Sequence, residues 1–430
     1  MTLAGAAADA ALNVDGEAGY ADFARRLMAS GLVTDPWFDG RPRFQVSPLP
    51  LARADHDAMT HATEAVAAVL DELCHIVAAD PATLDDFFAM TPAQKLMWQA
   101  SAPLWHGIAR ADVFLRHGQP PVVCELNCDT PSGLAEAVCL GQLAAAAGHG
   151  DGNRDLGARF LAVLSRFADG APLRAAGGPT TVGIVYPTEM ADDLGLVALY
   201  RGWCEQAGYD VVLGSPYNLQ RIPGRGVALF GRRCDVVLRH YKTDWWGERL
   251  PVRDDEEPFA DPDPLSEPLA ALLSAELARE VAVMNPFGAV LPQNKRAFAF
   301  CWERLGRFSP EAQAVIRTTI PFSVRLEAAD RDLLLRERED WVLKTDYGCE
   351  GEEVTIGREV PQELWADLLA HAIPRRWIAQ RHFDSRRDAT GRIANHGVFV
   401  AAGCAAGLYT RLSQGATDAS AISVAPVVEP

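Results

Sequence analysis

The chain has 430 residues, of which 49% are hydrophobic and 8% aromatic, so it is long enough for two or three globular domains with a large core. Its formal net charge of -17 at pH 7 argues against general nucleic-acid binding, which needs a basic surface. Cysteines scattered through apolar stretches predict reduced, buried thiols in a cytoplasmic protein, and no segment is long and apolar enough to span a membrane.

The first hundred residues show helical patterns and no motif that points to chemistry. Residues 52–79 carry apolar side chains at three- and four-residue spacing, which predicts one long helix. A second helix is predicted over residues 92–102. The three histidines in the long helix, at positions 56, 61 and 75, are assigned to helix faces and not to a site.

A β-hairpin is predicted next. Two apolar stretches, residues 111–115 and 122–127, flank a connection that contains glycine and proline. Taking the loop as the four residues 117–120 places Arg116 opposite Pro121, and this register extends outward along both strands. These two β-strands carry the residues on which the prediction of function depends.

This register brings four polar side chains together. Asp112 lies opposite Glu125, and Arg110 lies opposite Asn127, all on one face of the sheet because side chains alternate along a strand. Two carboxylates and an amide oxygen form the all-oxygen ligand set that Mg²⁺ prefers, and a divalent ion would remove the repulsion between the carboxylates. The alternative is an ordinary hairpin with a solvated polar face, on which Arg110 pairs with Asp112.

The residues after the hairpin favour a site over an ordinary hairpin. The run Asp129-Thr-Pro-Ser-Gly133 is a turn and a helix start, with Ser132 as the expected N-cap. A polar strand end that leads into a helix N-terminus is a typical anion-binding arrangement.

A βαβ unit is predicted in the middle of the chain. The Gly/Pro-rich residues 170–179 mark a domain boundary. Strands are predicted at 181–186, 210–213 and 234–238, with a helix at 191–207, and this order implies a parallel sheet with right-handed crossovers. No Gly-x-Gly-x-x-Gly follows the first strand, which argues against dinucleotide binding.

The C-terminal part contains a strand at 341–345, a glycine-containing turn at 346–352 and a returning strand at 353–357. Lys344 stands at the end of the first strand. A lysine beside a flexible glycine turn can place an ammonium and backbone N–H groups against phosphate oxygens. Without other motifs, Lys344 is equally compatible with an exposed strand lysine. Further strands are predicted at 377–383, 397–401 and 406–412.

These motifs, in this order, resemble the glutathionylspermidine synthase family. The resemblance extends from about residue 110 to the C-terminus, and His240–Glu248 is similar to the family's Tyr-Lys-Leu-Tyr-Pro-Trp-Glu-Trp segment. It is carried by Arg110-x-Asp112, Glu125-x-Asn127 leading into Asp129-Thr-Pro-Ser132, Asn294-Lys295 before a helix, Lys344-x-x-x-Gly348-x-x-Gly351 and Gly407-Leu-Tyr-x-Arg411.

The resemblance implies an α/β (α+β) protein with the ATP-grasp fold in circularly permuted order, in which the metal-binding strand precedes the nucleotide lysines. Residues 1–175 are expected to form an N-terminal helical region plus the metal-binding hairpin. Residues 176–290 are expected to form a βαβ domain like a pre-ATP-grasp domain, and residues 291–430 the nucleotide-binding lobes.

The resemblance also implies the roles of ten residues. They are the magnesium ligands Asp112, Glu125 and Asn127, the phosphate-binding Lys295, Lys344, Gly348 and Gly351, Gln380 near the adenine, and Arg110 and Arg411 on the transferring phosphoryl group. The sequence departs from the family where Thr345 replaces a common proline and where Cys349 and Glu350 replace the usual Arg and Glu.

The implied activity is ATP- and Mg²⁺-dependent formation of an amide from a small-molecule carboxylic acid and an amine, through an acyl phosphate. Two alternatives remain compatible with the sequence. One keeps the fold in a kinase or in a non-catalytic nucleotide-binding protein, and the other is an unrelated binding module with a structural hairpin. The sequence identifies neither the acid, nor the amine, nor the oligomeric state.

Overall fold

In the computed structural model the described residues are 16–171, 179–348 and 353–429, and they form a mixed α/β protein, as predicted. No helix within these ranges combines the length and the apolar character needed to cross a membrane. The α-helices are α1 (Gly16–Ala29), α2 (Arg53–Ala79), α3 (Thr83–Asp86), α4 (Pro92–Ser101), α5 (Leu134–Ala146), α6 (Leu156–Asp169), α7 (Leu194–Gln206), α8 (Thr243–Trp246), α9 (Ser266–Leu277), α10 (Val290–Gln293), α11 (Arg296–Glu303), α12 (Pro310–Thr319), α13 (Arg331–Arg336) and α14 (Gln362–His371).

The strands belong to several separate sheets. They are β1 (Trp37–Phe38), β2 (Arg41–Pro42), β3 (Leu49–Leu51), β4 (Ile108–Arg116), β5 (Gln119–Asn127), β6 (Thr181–Val185), β7 (Asp210–Gly214), β8 (Leu219–Ile222), β9 (Gly226–Leu229), β10 (Arg232–Cys234), β11 (Val236–Arg239), β12 (Ala282–Met284), β13 (Ser323–Arg325), β14 (Trp341–Thr345), β15 (Val354–Ile356), β16 (Trp377–Arg381), β17 (Ile393–Ala401), β18 (Cys404–Ser413), β19 (Ile422–Val424) and β20 (Pro426–Val428).

The central sheet has five antiparallel strands in the order β19-β18-β17-β4-β5. The predicted hairpin, β4–β5, therefore lies directly against a second hairpin, β17–β18, from the C-terminal end of the chain. Asn395 pairs with Arg411 across β17–β18, and Gly397 pairs with Asp112 across β17–β4. Because paired residues face the same side, side chains from both ends of the chain meet on one face of this sheet.

The hairpin loop is shorter than the sequence predicted. Arg116 pairs with Gln119 and not with Pro121, so the loop consists of His117 and Gly118 alone. Gly118 has a φ of +63°, which glycine adopts without strain.

The predicted register of the polar residues is nevertheless confirmed. The β4–β5 ladder has one irregularity near the loop and another directly after Asp112, and each shifts the register by one residue. The two shifts compensate for the two residues by which the loop was overestimated. Asp112 consequently lies opposite Glu125, and Arg110 lies opposite Asn127.

The predicted βαβ unit is present as a parallel sheet in the order β12-β11-β6-β7, with α7 connecting β6 to β7. The single strand expected at 234–238 is divided into β10 and β11. β10 joins β8 and β9 in a small antiparallel sheet that the sequence did not predict. The carboxyl end of β11 leads into His240–Glu248, the segment that resembles the family motif.

Another sheet, with the strand order β13-β16-β14-β15, is antiparallel and carries Lys344. Lys344 pairs with Ile378 on β16 and with Val354 on β15. The predicted glycine-containing turn lies partly outside the described residues, since 349–352 are not among them.

One buried side chain connects the parallel sheet to the base of the β4–β5 hairpin. Asn285, directly after β12, is 3% exposed. Its Nδ2 donates to the carbonyl oxygens of Ile108, Cys128 and Asp129 at 2.8, 3.1 and 3.0 Å. Its Oδ1 accepts from the backbone N–H groups of Gly107 and Ile108, both at 2.9 Å. These bonds hold the start of β4 and the segment after β5 in a fixed position.

We predict that Asn285→Ala lowers the free energy of unfolding by at least about 3 kcal/mol, because it leaves several buried backbone groups without a partner at about 1–3 kcal/mol each. Urea denaturation measures the change. The control is Arg201→Ala, which removes an exposed ion pair with Glu205 and should cost less than about 1 kcal/mol. Equal losses in the two variants would show that Asn285 does not hold the hairpin.

Candidate active site

A cavity of about 710 Å³ lies between the central sheet, the β14–β16 sheet and the segment after β11. Seven of the ten predicted site residues line it, namely Arg110, Asp112, Glu125, Asn127, Lys344, Gln380 and Arg411. Lys295 lines a small adjoining pocket, to which Glu125 and Gln380 also contribute. Gly348 is in contact with Lys295, and Gly351 lies outside the described residues.

The carboxylate of Asp112 accepts three hydrogen bonds from side chains of the site. Arg110 Nε donates to its Oδ1 at 3.0 Å, and Arg411 Nη2 and Asn395 Nδ2 donate to its Oδ2, both at 3.0 Å. Burial alone would raise the pKa of Asp112, but the charges of the two arginines and the hydrogen bonds outweigh burial and lower the pKa to about 2. Asn395 had not been identified from the sequence, because a single asparagine within a strand gives no motif signal.

The side chain of Arg110 packs closely against the backbone of Gly397. A Cβ atom at position 397 would lie 2.7 Å from Arg110 Cδ, so Gly397 leaves the space that the arginine occupies. Arg110 Nη1 then donates to the Ser132 carbonyl oxygen at 2.9 Å and to its Oγ at 3.3 Å. The expectation that Ser132 caps α5 was wrong, since the N-cap is Gly133 and the Ser132 hydroxyl accepts from Arg110 instead.

Glu125 and Asn127 present oxygen atoms to the cavity. The Asn127 Nδ2 is buried and has no hydrogen-bond partner among the described residues, so the amide oxygen is the atom left to face the cavity. Glu125 Oε2 lies 3.7 Å from Lys295 Nζ, beyond hydrogen-bond distance. A carboxylate and an amide oxygen beside Asp112 fit Mg²⁺, which takes oxygen ligands.

The protein supplies few of the ligands that a metal ion would need. In the described ranges no group of three or more His, Cys, Asp or Glu side chains is arranged to hold a metal. Mg²⁺ keeps several waters and shares its coordination shell with phosphates, so it needs few ligands from the protein.

The two predicted phosphate-binding lysines approach the hairpin from different sides. Lys344 is 6% exposed, and its Nζ lies 3.4 Å from the carbonyl oxygen of Cys124 on β5. Lys295 is 8% exposed and donates to the carbonyl oxygen of Gly348, next to the turn that was predicted to contact phosphates. Both ammonium groups thus lie next to the strand that carries Glu125.

Gln380 lies on β16, between Lys344 and the adjoining pocket. It is 1% exposed, and its Nε2 donates to Ser323 Oγ on β13 at 3.0 Å. Apolar side chains of β14 and β15, including Val342 and Ile356, line the same part of the cavity. A polar amide surrounded by apolar side chains suits a flat heteroaromatic ring such as adenine.

A buried ion pair fixes the segment between the hairpin and α5. Arg239 Nη2, at the end of β11, lies 2.5 Å from Asp129 Oδ1, and both side chains are almost fully buried. Thr243 donates to Asp129 Oδ2 through its backbone N–H at 2.5 Å and its hydroxyl at 3.0 Å. The parallel sheet is thereby attached to the segment that contains Ser132.

The cavity is locally neutral although the chain is strongly acidic. Its lining carries as many cationic side chains (Arg110, Lys242, Lys344, Arg358, Arg387 and Arg411) as carboxylates (Asp112, Glu125, Asp129, Asp193, Glu359 and Asp384). An anionic ligand in the cavity is therefore surrounded by equal numbers of positive and negative side chains, although the whole chain has a net charge of -17.

Comparisons with known proteins show which proteins this chain is similar to. A model of the family described as "Glutathionylspermidine synthase preATP-grasp" matches residues 49–428. Among solved structures, a glutathione synthetase-like effector from Globodera pallida, in its apo form, is 12% identical with a TM-score of 0.59, covering 95% of this chain and 96% of that one. This likeness concerns the fold alone.

A second solved structure is a putative gamma-glutamylcysteine synthetase from Methylobacillus flagellatus KT. It is 12% identical with a TM-score of 0.47 and covers 86% of each chain, a likeness too low to carry an argument. The comparison with curated proteins gave no match.

We predict a specific pH dependence for the contribution of Asp112 to stability. Since folding lowers its pKa to about 2, the contribution is complete above the unfolded-state pKa of about 3.9 and is lost as pH falls through the folded-state value. A shift of about two units corresponds to roughly 2–3 kcal/mol. Urea denaturation from pH 7 to pH 3 should show the advantage of the wild type over Asp112→Asn shrinking below about pH 4.

The matched control is Asp22→Asn, which changes an exposed carboxylate that pairs with Arg25. Its difference from the wild type should stay small at every pH. A difference between the wild type and Asp112→Asn that stays constant from pH 7 to pH 3 would contradict the lowered pKa.

Proposed function

The chain belongs to the glutathionylspermidine synthase preATP-grasp family, and we propose that it is an ATP-dependent ligase that joins a carboxylic acid to an amine through an acyl phosphate. One observation carries this proposal. Two arginines, a lysine and the three predicted magnesium ligands converge on one cavity, although Asp112 and Arg411 are 299 positions apart in the sequence.

We also propose that the fold is an ATP-grasp in circularly permuted order. Glu125 and Asn127 precede Lys295 and Lys344 in the chain, and the central sheet faces the β14–β16 sheet across the cavity. This arrangement supports nucleotide binding between the two sheets. The proposed units are 1–175 with the hairpin, 176–290 with the parallel sheet, and 291–430 with the lysines. The buried cysteines are compatible with the predicted cytoplasmic location.

The chemistry explains why so many charges are needed. A carboxylate does not react with an amine, because oxide is a poor leaving group, and transfer of the γ-phosphoryl group of ATP converts it into an acyl phosphate. Phosphoryl transfer depends on positioning and charge neutralisation more than on covalent help from the protein. One pair of unit charges at about 4 Å contributes roughly 4 kcal/mol at an effective dielectric constant of about 20, so several contacts are required.

The residues of the cavity have different roles in this reaction. Asp112 holds Arg110 and Arg411 at the place where the carboxylate of the substrate meets the phosphoryl group. Lys344 and Lys295 bind the phosphates beside β5. Asp112, Glu125 and Asn127 would hold Mg²⁺, which when bound neutralises phosphate charge.

The acyl phosphate reacts readily with water, so the site must exclude water during the reaction. We propose that Gly348 and Gly351 contact the phosphates of ATP, as the family resemblance implies; Gly351 lies outside the described residues. Lys295 donates to the Gly348 carbonyl oxygen, and its Nζ lies 3.7 Å from Glu125 Oε2, so Gly348 and Glu125 lie close to the same ammonium group.

The experiment that tests the function measures ADP release with a panel of carboxylic acids and amines, with the mass of the product determined. A ligase releases ADP only when a suitable acid and a suitable amine are both present, and it forms their amide. A kinase requires one acceptor alone and yields a phosphorylated product. A nucleotide-binding protein binds ATP with Mg²⁺ and releases no ADP with any pair.

We predict that Glu125→Gln and Asn127→Ala each abolish ADP release while leaving the melting temperature nearly unchanged, because both side chains face the cavity and neither holds the core together. Differential scanning fluorimetry checks the fold. Near-normal turnover in either variant would remove that residue from the metal site.

We predict that Lys344→Ala weakens ATP binding at least about tenfold, since it removes a nearly buried cation from the phosphate site. Isothermal titration calorimetry measures the affinity. The control, Lys95→Ala, removes a partly exposed lysine that pairs with Asp85 outside the cavity, and it should leave ATP affinity unchanged. Equal affinity in the two variants would contradict the assignment.

A further inference from the structure

The cavity extends beyond the predicted phosphate site into a region that the roles assigned above do not use. Its walls come from the parallel sheet and the segments that follow β6 and β11, namely Pro187, Met190, Asp193, His240, Tyr241 and Trp245. This region is mostly apolar and aromatic, and it contains a histidine beside a carboxylate.

His240 is held in place from several sides. Its backbone N–H donates to the Val185 carbonyl oxygen at 2.7 Å, and the Tyr200 ring packs edge-on at 6.0 Å between centroids. Its Nε2 lies 3.3 Å from Asp193 Oδ1, directly before α7. His240 is only 4% exposed, so it has little freedom to turn away from Asp193.

The carboxylate determines which ring nitrogen is available to a substrate. Asp193 favours a proton on Nε2, which leaves the lone pair on Nδ1. Nδ1 is the ring nitrogen that does not face Asp193, and His240 lines the cavity. An imidazole with one nitrogen on a carboxylate and the other available to the substrate is the arrangement of a general base.

We propose that His240, oriented by Asp193, removes a proton from the amine substrate; this role depends on the proposed ligase function. At neutral pH a primary amine is an ammonium ion with no lone pair, so it cannot attack a carbonyl carbon. His240 Nδ1 takes one proton, and the resulting imidazolium is stabilised by the carboxylate of Asp193.

The remaining steps form the C–N bond and release phosphate, and every proton is accounted for. The lone pair of the neutral amine forms the C–N bond with the acyl carbon, and the C–O bond to phosphate breaks with its electron pair leaving on phosphate. The nitrogen loses its second proton to the departing phosphate. His240 later returns its proton to solvent, so the enzyme ends the cycle unchanged.

The charged and titratable groups around His240 support this direction of proton transfer. Asp193 and Tyr200 face it from the α7 side, and Arg239, Tyr241 and Lys242 flank it on its own segment. Arg239 is neutralised by Asp129, and Lys242 Nζ lies 3.2 Å from Asp244 Oδ2. The carboxylate of Asp193 is therefore the charge in direct contact with the imidazole.

The test compares two nucleophiles, a primary amine from the active pair and hydroxylamine, which is already neutral at pH 7. With hydroxylamine, His240→Gln should form hydroxamate and ADP at a rate within about threefold of the wild type. With the amine, the variant should be about 10²- to 10⁴-fold slower. Its rate should rise with pH up to the pKa of the amine, whereas the wild type reaches its plateau at lower pH. Asp193→Asn should show a smaller loss of the same kind.

The matched control is His371→Gln on α14. His371 Nδ1 lies 3.1 Å from Asp367 Oδ1, so it forms a histidine–aspartate pair of the same type, but the pair is on the surface and outside the cavity. This control should keep the wild-type rate with both nucleophiles.

The outcomes separate the two proposals. If the wild type releases no ADP and forms no amide with any pair of acid and amine, the ligase function is wrong, and the proton-transfer role is wrong with it. If the wild type is active and His240→Gln loses activity equally with both nucleophiles, or loses none with the amine, only the role of His240 is overturned.

Discussion

The site depends on one carboxylate that is held between two guanidinium groups. Asp112 lies on β4, Arg110 two residues before it and Arg411 on a strand from the other end of the chain. Buried charges are tolerated only when they are paired and hydrogen-bonded, and removing one partner leaves the others uncompensated. Since Asp112 and Arg411 lie on strands separated by β17, the site can form only once the N-terminal and C-terminal hairpins have assembled into one sheet.

The rest of the structure keeps this sheet in position relative to the parallel sheet. Asn285 and Arg239 both extend from the ends of parallel strands to the segment that follows β5. Their bonds are buried, so they hold the hairpin, the segment with Ser132 and the end of β11 in fixed positions relative to one another. His240 directly follows Arg239, so the ion pair that fixes the phosphate side also fixes the region proposed to bind the amine.

Local patterns predicted much of this from the sequence. The strand over residues 341–345 and the polar face of the β4–β5 hairpin follow from alternation and turn residues, which act over a few positions. The polar face was predicted correctly although the predicted loop length was wrong. The two register shifts in the β4–β5 ladder together leave every side chain on the predicted side of the sheet. The resemblance then related Arg411 to residues that no local pattern connects with it.

What the sequence could not predict depends on contacts between distant residues. Asn395 supports Asp112 from a neighbouring strand 283 positions away, and a lone asparagine carries no periodic signal. The expected N-cap at Ser132 was wrong because its hydroxyl accepts from Arg110, a tertiary contact that outweighs the local capping preference. The pairing of His240 with Asp193 likewise requires the βαβ unit to be folded.

We propose that a substrate carboxylate attacks the γ-phosphorus of ATP in this cavity. The most direct test supplies the acid of an active pair with ¹⁸O in its carboxylate and measures the mass of the released phosphate. An acyl phosphate pathway predicts that one ¹⁸O atom passes from the acid to each phosphate. Phosphate without label, formed together with the amide, would contradict the account.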